Sequence, residues 1–424
     1  MSSDSWTDPS WTRWFSTELQ FGTSEGSVRV REETRGSRSR ARCTVSGAEY
    51  ELRRLVAQPG ATSGHVALEA LEAVQREAEL SERAGKHPNV VRCHGILVQN
   101  IGAAHCQLLL CEPCAVDLSE YLSSRGGNIS ASELADVGQQ LAMGLAHLHT
   151  LGMLYGSLSS TGVRRGAIDG LWKLGDFSRA ATLPVAASEW REFSGAKPRE
   201  APPEARGSDD ALKPEADVWF LASLLSAALC AVKQGEAFAL PPERLLDSTT
   251  ACVWLLLQWL LAEAPEARPS AGEAAALLAA AALTPPQELL TEMPAPERRR
   301  CRGAALAAAR QRAAEAAAAE GSSPAKLADM PLERLRHFAA AEVDQILMNC
   351  GIDDAAAAEE TPKEVESGGA PCTGFHTEKC VHDGADASTN ASGLSDESRD
   401  GEGKLGPDKG TSFEASVDLL GLQG

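Results

Sequence analysis

The chain has 424 residues, which is enough for a two-lobed domain of enzyme size with a large core and further segments beside it. Its formal net charge is −19, which argues against general binding to nucleic acids or anionic membranes. No apolar run approaches the about 18 residues of a membrane span, and the first residues lack the pattern of a secretory signal. The 11 cysteines are scattered, several in apolar runs, and indicate reduced thiols. We therefore expect a cytoplasmic protein, with the nucleus as the alternative.

The N-terminal part is predicted to be rich in β-strands. After a leader at residues 1–18, short strands are expected at 19–21, 27–30 and 49–56. The turn between the first two carries Gly22 and Gly26. Glycines allow backbone N–H groups to approach an anion without an intervening Cβ, although an ordinary hairpin has the same pattern.

A helix and a further buried strand follow. Apolar residues keep helical spacing over 65–84, and the sequence His-Pro-Asn-Val-Val stands at 87–91. The apolar run at 107–111 predicts a strand, and it leads into Glu112-Pro113-Cys114. This region therefore alternates between strand and helix before a longer helical part begins.

A long helix is predicted from Ser130 to Gly152. Ser130 and Glu133 have the spacing of a capping box, in which each side chain binds the other residue's backbone N–H. Apolar residues then recur at helical spacing, and Gly152 is a typical C-terminal stop.

The segment 137–178 carries the most informative pattern in the chain. After the helix come a short strand at 153–154, a polar loop at 155–162, a strand at 171–174 and Asp176-Phe177-Ser178. This order of elements resembles the catalytic core of the protein kinases, in which an H-R-D-L-x-x-x-N loop precedes a D-F-G. The resemblance implies an α+β, bilobal protein-kinase-like fold, with a small β-rich N-lobe at about 19–112 and a larger helical C-lobe at about 115–283.

The resemblance assigns nucleotide-binding roles in the N-lobe. Gly22, Gly26 and Val28 would belong to a Gly-rich loop that has lost its middle glycine. Arg53 stands at the position of the family's lysine, with Arg54 as the alternative if the alignment slips by one residue.

The partner of that basic residue and the hinge between the lobes are implied in the same way. Glu77 would be the glutamate of the following helix, with Glu79 as the competitor. The carbonyl of Glu112 and the backbone N–H of Cys114 would meet the adenine of ATP. Asp176 is the one retained metal ligand, and it would hold Mg²⁺ only together with a nucleotide.

The polar loop departs from the family pattern at the residues that do chemistry. Ser157 stands for the catalytic aspartate and Gly156 for the arginine before it. Ser159 replaces the lysine and Gly162 the metal-binding asparagine. A neutral hydroxyl is too weak a base to accept the substrate proton, so we expect Ser157 to be non-functional and the domain to be catalytically inactive.

Structural landmarks of the family recur downstream. Ala-Pro-Pro-Glu ends at Glu204, which the resemblance pairs with Arg268. Asp217 would anchor the backbone of the loop at 155–157. Helices are predicted over 217–233, 250–262 and 270–281.

Four segments are predicted after the kinase-like domain. They are a Pro-rich linker at 284–296, an exposed Ala-rich helix at 297–320, a small helical pair at 328–352 and an acidic disordered tail at 353–424. The last of these has 16 acidic against 5 basic residues.

These features favour a pseudokinase that acts as a binding, scaffolding or allosteric module. Binding of ATP is expected to be weak or absent. The alternative is an active, divergent kinase that transfers the ATP γ-phosphate to a protein Ser, Thr or Tyr hydroxyl. We expect protein partners that the sequence does not identify, with a nucleotide as a further candidate ligand and with neither membrane nor nucleic acid among the partners.

Overall fold

The computed structural model describes residues 18–23, 26–35, 38–57, 68–101, 104–197, 199–207, 209–232, 240–281, 286–319 and 332–352. Nearly all of the predicted leader and all of the predicted acidic tail lie outside the described residues.

Six antiparallel strands form the N-terminal sheet, in the order β1-β2-β3-β4-β6-β5. They are β1 (Glu18–Thr23), β2 (Gly26–Arg35), β3 (Arg38–Cys43), β4 (Glu49–Ala57), β5 (Cys93–Ile101) and β6 (Ala104–Cys111). The strand β3 was missed from the sequence because its arginines mask the alternation that places Ala41 and Cys43 in the core.

The sheet curls until its two edges meet. A Cβ at Gly95 in β5 would lie 2.4 Å from the carbonyl oxygen of Gly22 in β1, so only glycine allows this approach. The enclosed face buries a cluster that includes Phe21, Leu52 and Leu108. The opposite face packs with helix α1 (Leu68–Arg83), which contributes to a second cluster.

The C-terminal lobe is mainly helical. Its central helices are α2 (Leu118–Ser124), α3 (Ala131–Thr150), α6 (Glu215–Cys230), α7 (Ser248–Leu260) and α8 (Ala271–Ala280). The predicted capping box of α3 is only half formed. Ser130 Oγ accepts a hydrogen bond from the Glu133 N–H, but the Glu133 carboxylate binds Tyr121 and Arg125 instead of returning to Ser130.

Short strands lie at the junction of the lobes. One small sheet has the order β10-β9-β7 and contains β7 (Cys114–Asp117), β9 (Val163–Gly166) and β10 (Trp172–Leu174). Another pairs β8 (Met153–Leu154) with β11 (Ala181–Thr182). Two helices follow, α4 (Ala187–Ser194) and α5 (Glu204–Gly207). The loop at 155–162 and Asp176 are thereby held next to each other.

Three helices complete the described chain, and they correct two predictions. The segment predicted as a linker contains α9 (Pro286–Glu292), because proline is tolerated in the first turn and Leu289 and Leu290 are buried. The helix α10 (Ala295–Ala319) is not exposed, since Cys301 and Leu306 join the core of the C-lobe.

The predicted helical pair lies in α11 (Leu332–Asn349), in which two helical segments meet at Ala339, a residue with non-helical backbone angles (φ −150°, ψ 49°). Val343 and Ile346 in its second half are fully buried in the same core. The described architecture confirms the predicted α+β class, with a β-rich N-terminal part and a helical C-terminal part. None of the described helices is both long and apolar enough to cross a membrane.

Candidate functional site

The structure pairs Arg53 with Glu77. Arg53 lies on β4, and its Nη2 is 2.7 Å from Glu77 Oε1 on α1. Arg54 points to the other face of the sheet, where it binds Glu32. Glu79 is exposed. Strand alternation therefore selects Arg53, and the buried face of α1 selects Glu77.

Arg53 also reaches the loop that contains Asp176. Its Nη1 donates to the Gly175 carbonyl at 2.5 Å, and its Nη2 lies 3.8 Å from Asp176 Oδ1. Burial alone would lower the pKa of Arg53, but the carboxylates of Glu77 and Asp176 outweigh it and raise that pKa. Burial raises the pKa of Glu77, against the opposing effect of Arg53.

Hydrogen bonds to the backbone N–H and to the side chain of Asp176 fix this residue in place. Its N–H donates to the Tyr155 hydroxyl at 3.1 Å, and its Oδ1 accepts from the Ser178 N–H at 3.0 Å. Tyr155 packs edge-on against Phe177 with 5.5 Å between ring centroids. Burial, aided by Asp176, raises the pKa of Tyr155, so this phenol stays neutral.

Asp217 lies where the resemblance placed it, at the N-terminal end of α6. Its carboxylate accepts hydrogen bonds from the N–H groups of Tyr155 and Gly156, each at 2.8 Å. His149 Nε2 lies 2.9 Å from the same group. Asp217 is fully buried, so three donors compensate its loss of solvation.

Ser157 has a cation rather than a base beside it. Arg179 Nη1 lies 3.4 Å from Ser157 Oγ and 4.0 Å from the Glu200 carboxylate. The surrounding cavity of about 400 Å³ is polar, and its lining includes Ser157, Ser159, Thr161, Asp176, Arg179 and Glu200. A guanidinium at this distance disfavours proton uptake by the hydroxyl.

The residues present do not fit a magnesium site of the kinase type. Gly162 offers no side-chain oxygen, and a Cβ there would lie 3.0 Å from Asp176 Cβ. The Asp176 carboxylate already faces Arg53. Among the described residues, no group of three or more His, Cys, Asp and Glu side chains could hold a metal ion. A single shared carboxylate is a poor magnesium ligand set.

The predicted hinge lies between β6 and β7. Two hydrogen bonds fix the side chain of Glu112. Its carboxylate accepts one from the Arg92 N–H at 2.8 Å and one from Lys173 Nζ at 3.0 Å. Cys114 is the first residue of β7, and burial raises its pKa to about 12.

Two charged residues that sequence reasoning missed lie beside this hinge. Arg164 Nη2 is 2.8 Å from Glu51 Oε1, and Arg164 Nη1 is 3.8 Å from Asp117 Oδ2. Glu51 belongs to the N-terminal sheet and Arg164 to β9. These residues are 113 positions apart in the chain, so no local pattern indicated their contact.

The described residues of the Gly-rich hairpin belong to the first two strands of the N-terminal sheet. Val28 is the register partner of Phe21, and both pack in the enclosed face of the sheet, opposite to the face of Arg53. Gly22 contacts Gly95 at the far edge. Gly26 has φ +122°, which suits a tight hairpin. Val28 thus packs against the inside of the curled sheet, and its assignment to a nucleotide pocket stays a prediction.

The structure joins Glu204 to Arg268, as the resemblance implied. Arg268 Nη1 and Nη2 donate to the two carboxylate oxygens of Glu204 at 2.7 and 2.8 Å. The guanidinium also binds the carbonyls of Ala262, Glu215 and Glu263. Every donor nitrogen of this buried side chain thus has a partner, which ties α5 to the segment before α8.

Comparison with known families agrees with this arrangement. A family model described as protein tyrosine and serine/threonine kinase matches residues 62–232, which run from just before α1 to just after α6. A search of curated proteins found no match. The family match and the two-lobed fold identify a protein-kinase-like domain in this part of the chain.

Proposed function

We propose that the protein is a pseudokinase, a binding, scaffolding or allosteric module with at most weak ATP binding. The observation that carries this proposal is the pairing of Ser157 with Arg179 at the position of the catalytic base. The protein offers a neutral hydroxyl and a cation where transfer of a phosphoryl group requires a carboxylate to accept the substrate proton.

The size of the expected defect supports inactivity. Loss of one general base typically costs roughly 10²–10⁴-fold in rate. Here the base, the loop lysine and one metal ligand are replaced together, by Ser157, Ser159 and Gly162. Such losses do not simply multiply, but no neighbouring group among the described residues supplies the missing chemistry.

The second candidate is an active, divergent kinase, and one observation favours it. The Arg53–Glu77 pair and Asp176 lie together at the positions to which the resemblance assigns contact with phosphates. Two carboxylates, Asp176 and Glu200, line the cavity beside Ser157. Each faces an arginine, so neither stands as a free base.

The remaining properties are proposed on chemical grounds. The described cysteines are all free, as expected in a reducing compartment, and the cytoplasm is our proposal with the nucleus as alternative. The acidic net charge makes nucleic acid an unsuitable partner. We propose protein partners that bind the surface of the two lobes.

A phosphotransfer assay tests the proposal. The full chain, Asp176→Ala and the control Asp136→Ala, an exposed position on α3, are incubated with ATP, Mg²⁺ and a mixture of Ser, Thr and Tyr peptides. We expect no transfer above background for any of the three. Transfer by the wild type and by Asp136→Ala that disappears in Asp176→Ala would establish the active kinase instead.

A further inference from the structure

The side chains of Glu51 and Arg164 lie in the space beside the hinge. Glu51 is the register partner of Cys111, the last residue before the hinge, and Arg164 is the register partner of Asp117 just after it. The ion pair between Glu51 and Arg164 therefore spans the opening between the two lobes at the level of the hinge.

Arg164 also contacts the backbone at Gly175, on the side of this space opposite to the hinge. A Cβ at Gly175 would lie 2.9 Å from Arg164 Cγ, so the side-chain stem rests directly on the backbone before Asp176. On the hinge side, Cys114 is close enough to Glu51 and Arg164 for both to influence its pKa, after the dominant effect of burial. The pair thus lies between the Gly175 backbone, which Arg164 contacts, and the surroundings of Cys114.

The pair is well shielded from water. The side chains of Glu51 and Arg164 are only 10% and 19% exposed, and Asp117 offers the guanidinium a second carboxylate. Water screens the attraction between these two charges only weakly. An aromatic ring that entered between them would separate two charges that are shielded from water, which is energetically costly.

We propose that the Glu51–Arg164 pair occupies the space that an adenine ring would need between Cys114 and Gly175, and that it links the two lobes in place of a nucleotide. This inference rests on the proposed function, since it assumes that the domain works without turning over ATP. It assigns to the pair the exclusion of purine nucleosides and nucleotides from the hinge.

The double variant Glu51→Ala/Arg164→Leu tests this directly. Removal of both charges opens the space without leaving one of them buried and unpaired. The Tm of the full chain is measured with adenosine and with ATP, each with and without Mg²⁺. We expect no shift for the wild type and a rise of about 2–4 °C for the double variant at saturating ligand.

Two control variants separate occupancy from general destabilisation. The variant Arg164→Lys keeps a cation beside both Glu51 and Asp117, and it should show no shift. The double variant Glu49→Ala/Arg42→Leu removes an exposed pair on the same sheet, at 2.7 Å, and should also show no shift. If the first double variant does not fold, Glu51→Ala alone is used, because Arg164 then retains Asp117, and a smaller rise in Tm is expected.

The contradicting results are distinct. A wild-type Tm that rises with adenosine as much as that of the double variant would show that the pair does not exclude the ring. A folded double variant without any shift would show that the pair is not what closes the gap. Binding by the wild type without phosphotransfer would overturn this inference alone, whereas phosphotransfer by the wild type would overturn the proposed function as well.

Discussion

Gly156 lies so close to the indole of Trp190 that a Cβ at Gly156 would come within 2.8 Å of Trp190 Nε1. Trp190 is fully buried on α4 and packs against Phe220 of α6. In the family pattern an arginine stands at the position of Gly156 and binds a phosphate on the activation segment. Here Trp190 of the same segment packs directly against Gly156, and any side chain at that position would collide with the indole.

The substitution Gly156→Ala should therefore be strongly destabilising. Gly156 has φ +79°, which costs an alanine about 1–2 kcal/mol, and the new Cβ would also lie 2.2 Å from the Arg179 carbonyl oxygen. Overpacking of this kind adds about 1–3 kcal/mol. Urea unfolding of the full chain measures the loss.

The matched control is Gly195→Ala. Gly195 has φ +59° at the end of α4, but among the described residues no atom lies within 4 Å of the position that a Cβ would take there. Gly195→Ala should lose only the stability that a left-handed backbone conformation costs an alanine, about 1–2 kcal/mol. Equal losses for the two variants would mean that the segment moves away from Gly156 at little cost, and that Trp190 does not fix it.

The landmarks of the C-lobe could be predicted from the sequence because short motifs carry them. Glu204, Asp217 and Arg268 each stand in a recognisable local pattern, and the structure gives each the contacts that the pattern implied. Arg53 and Glu77 required a choice between neighbouring residues, and strand alternation and helix burial made that choice.

Other features could not be predicted because their cause is not local. The inward direction of Val28 follows from curling of the whole sheet, and the Glu51–Arg164 contact joins two lobes. The burial of α10 was missed because alanine gives little amphipathic signal, although Ala305 and Ala309 are fully buried against the lobe.

A second prediction concerns the buried pair between Glu204 and Arg268. The substitution Arg268→Met leaves a partly buried carboxylate and three backbone carbonyls without their donor. Breaking a buried pair in this way costs about 3–5 kcal/mol.

Two further variants control this measurement in thermal or urea unfolding. In Arg125→Met the lost partner of Glu133 is 48% exposed, so the cost should stay below about 1 kcal/mol. Arg268→Lys keeps the positive charge but not the two-pronged hydrogen bonding of the guanidinium. Its loss of stability should lie between those of Arg268→Met and Arg125→Met. If Arg268→Lys is as stable as the wild type, the paired geometry contributes nothing beyond charge.

A third prediction follows from the raised pKa of Glu77. Because the folded protein binds this proton more tightly than the unfolded chain, the contribution to stability is present below the unfolded pKa, near 4.5, and is lost as pH rises through the raised folded value. The titrating group is buried, and Arg53, Asp176 and Arg76 face it.

The variant Glu77→Gln isolates this effect, since glutamine does not titrate. The difference in unfolding free energy, wild type minus variant, should fall as pH increases from about 4.5 towards neutrality. Glu79→Gln, at an exposed position two residues away, serves as the control and should give a nearly flat difference. A difference that rises with pH for Glu77→Gln would mean that Arg53 dominates and holds the carboxylate charged.

The last prediction tests whether the C-terminal helix is part of the kinase-like lobe. Asn349 at the end of α11 donates from Nδ2 to the carbonyls of Leu245 and Leu246, at 2.9 and 2.8 Å. The substitution Asn349→Leu leaves both carbonyls without this donor, which costs about 1–3 kcal/mol because the site is buried. The neighbouring Met348 is 57% exposed, so Met348→Ala should change stability by less than about 0.5 kcal/mol. Unfolding should remain one cooperative transition at a lower midpoint in Asn349→Leu. A separate early transition confined to α10 and α11 would show instead that these helices form a module of their own.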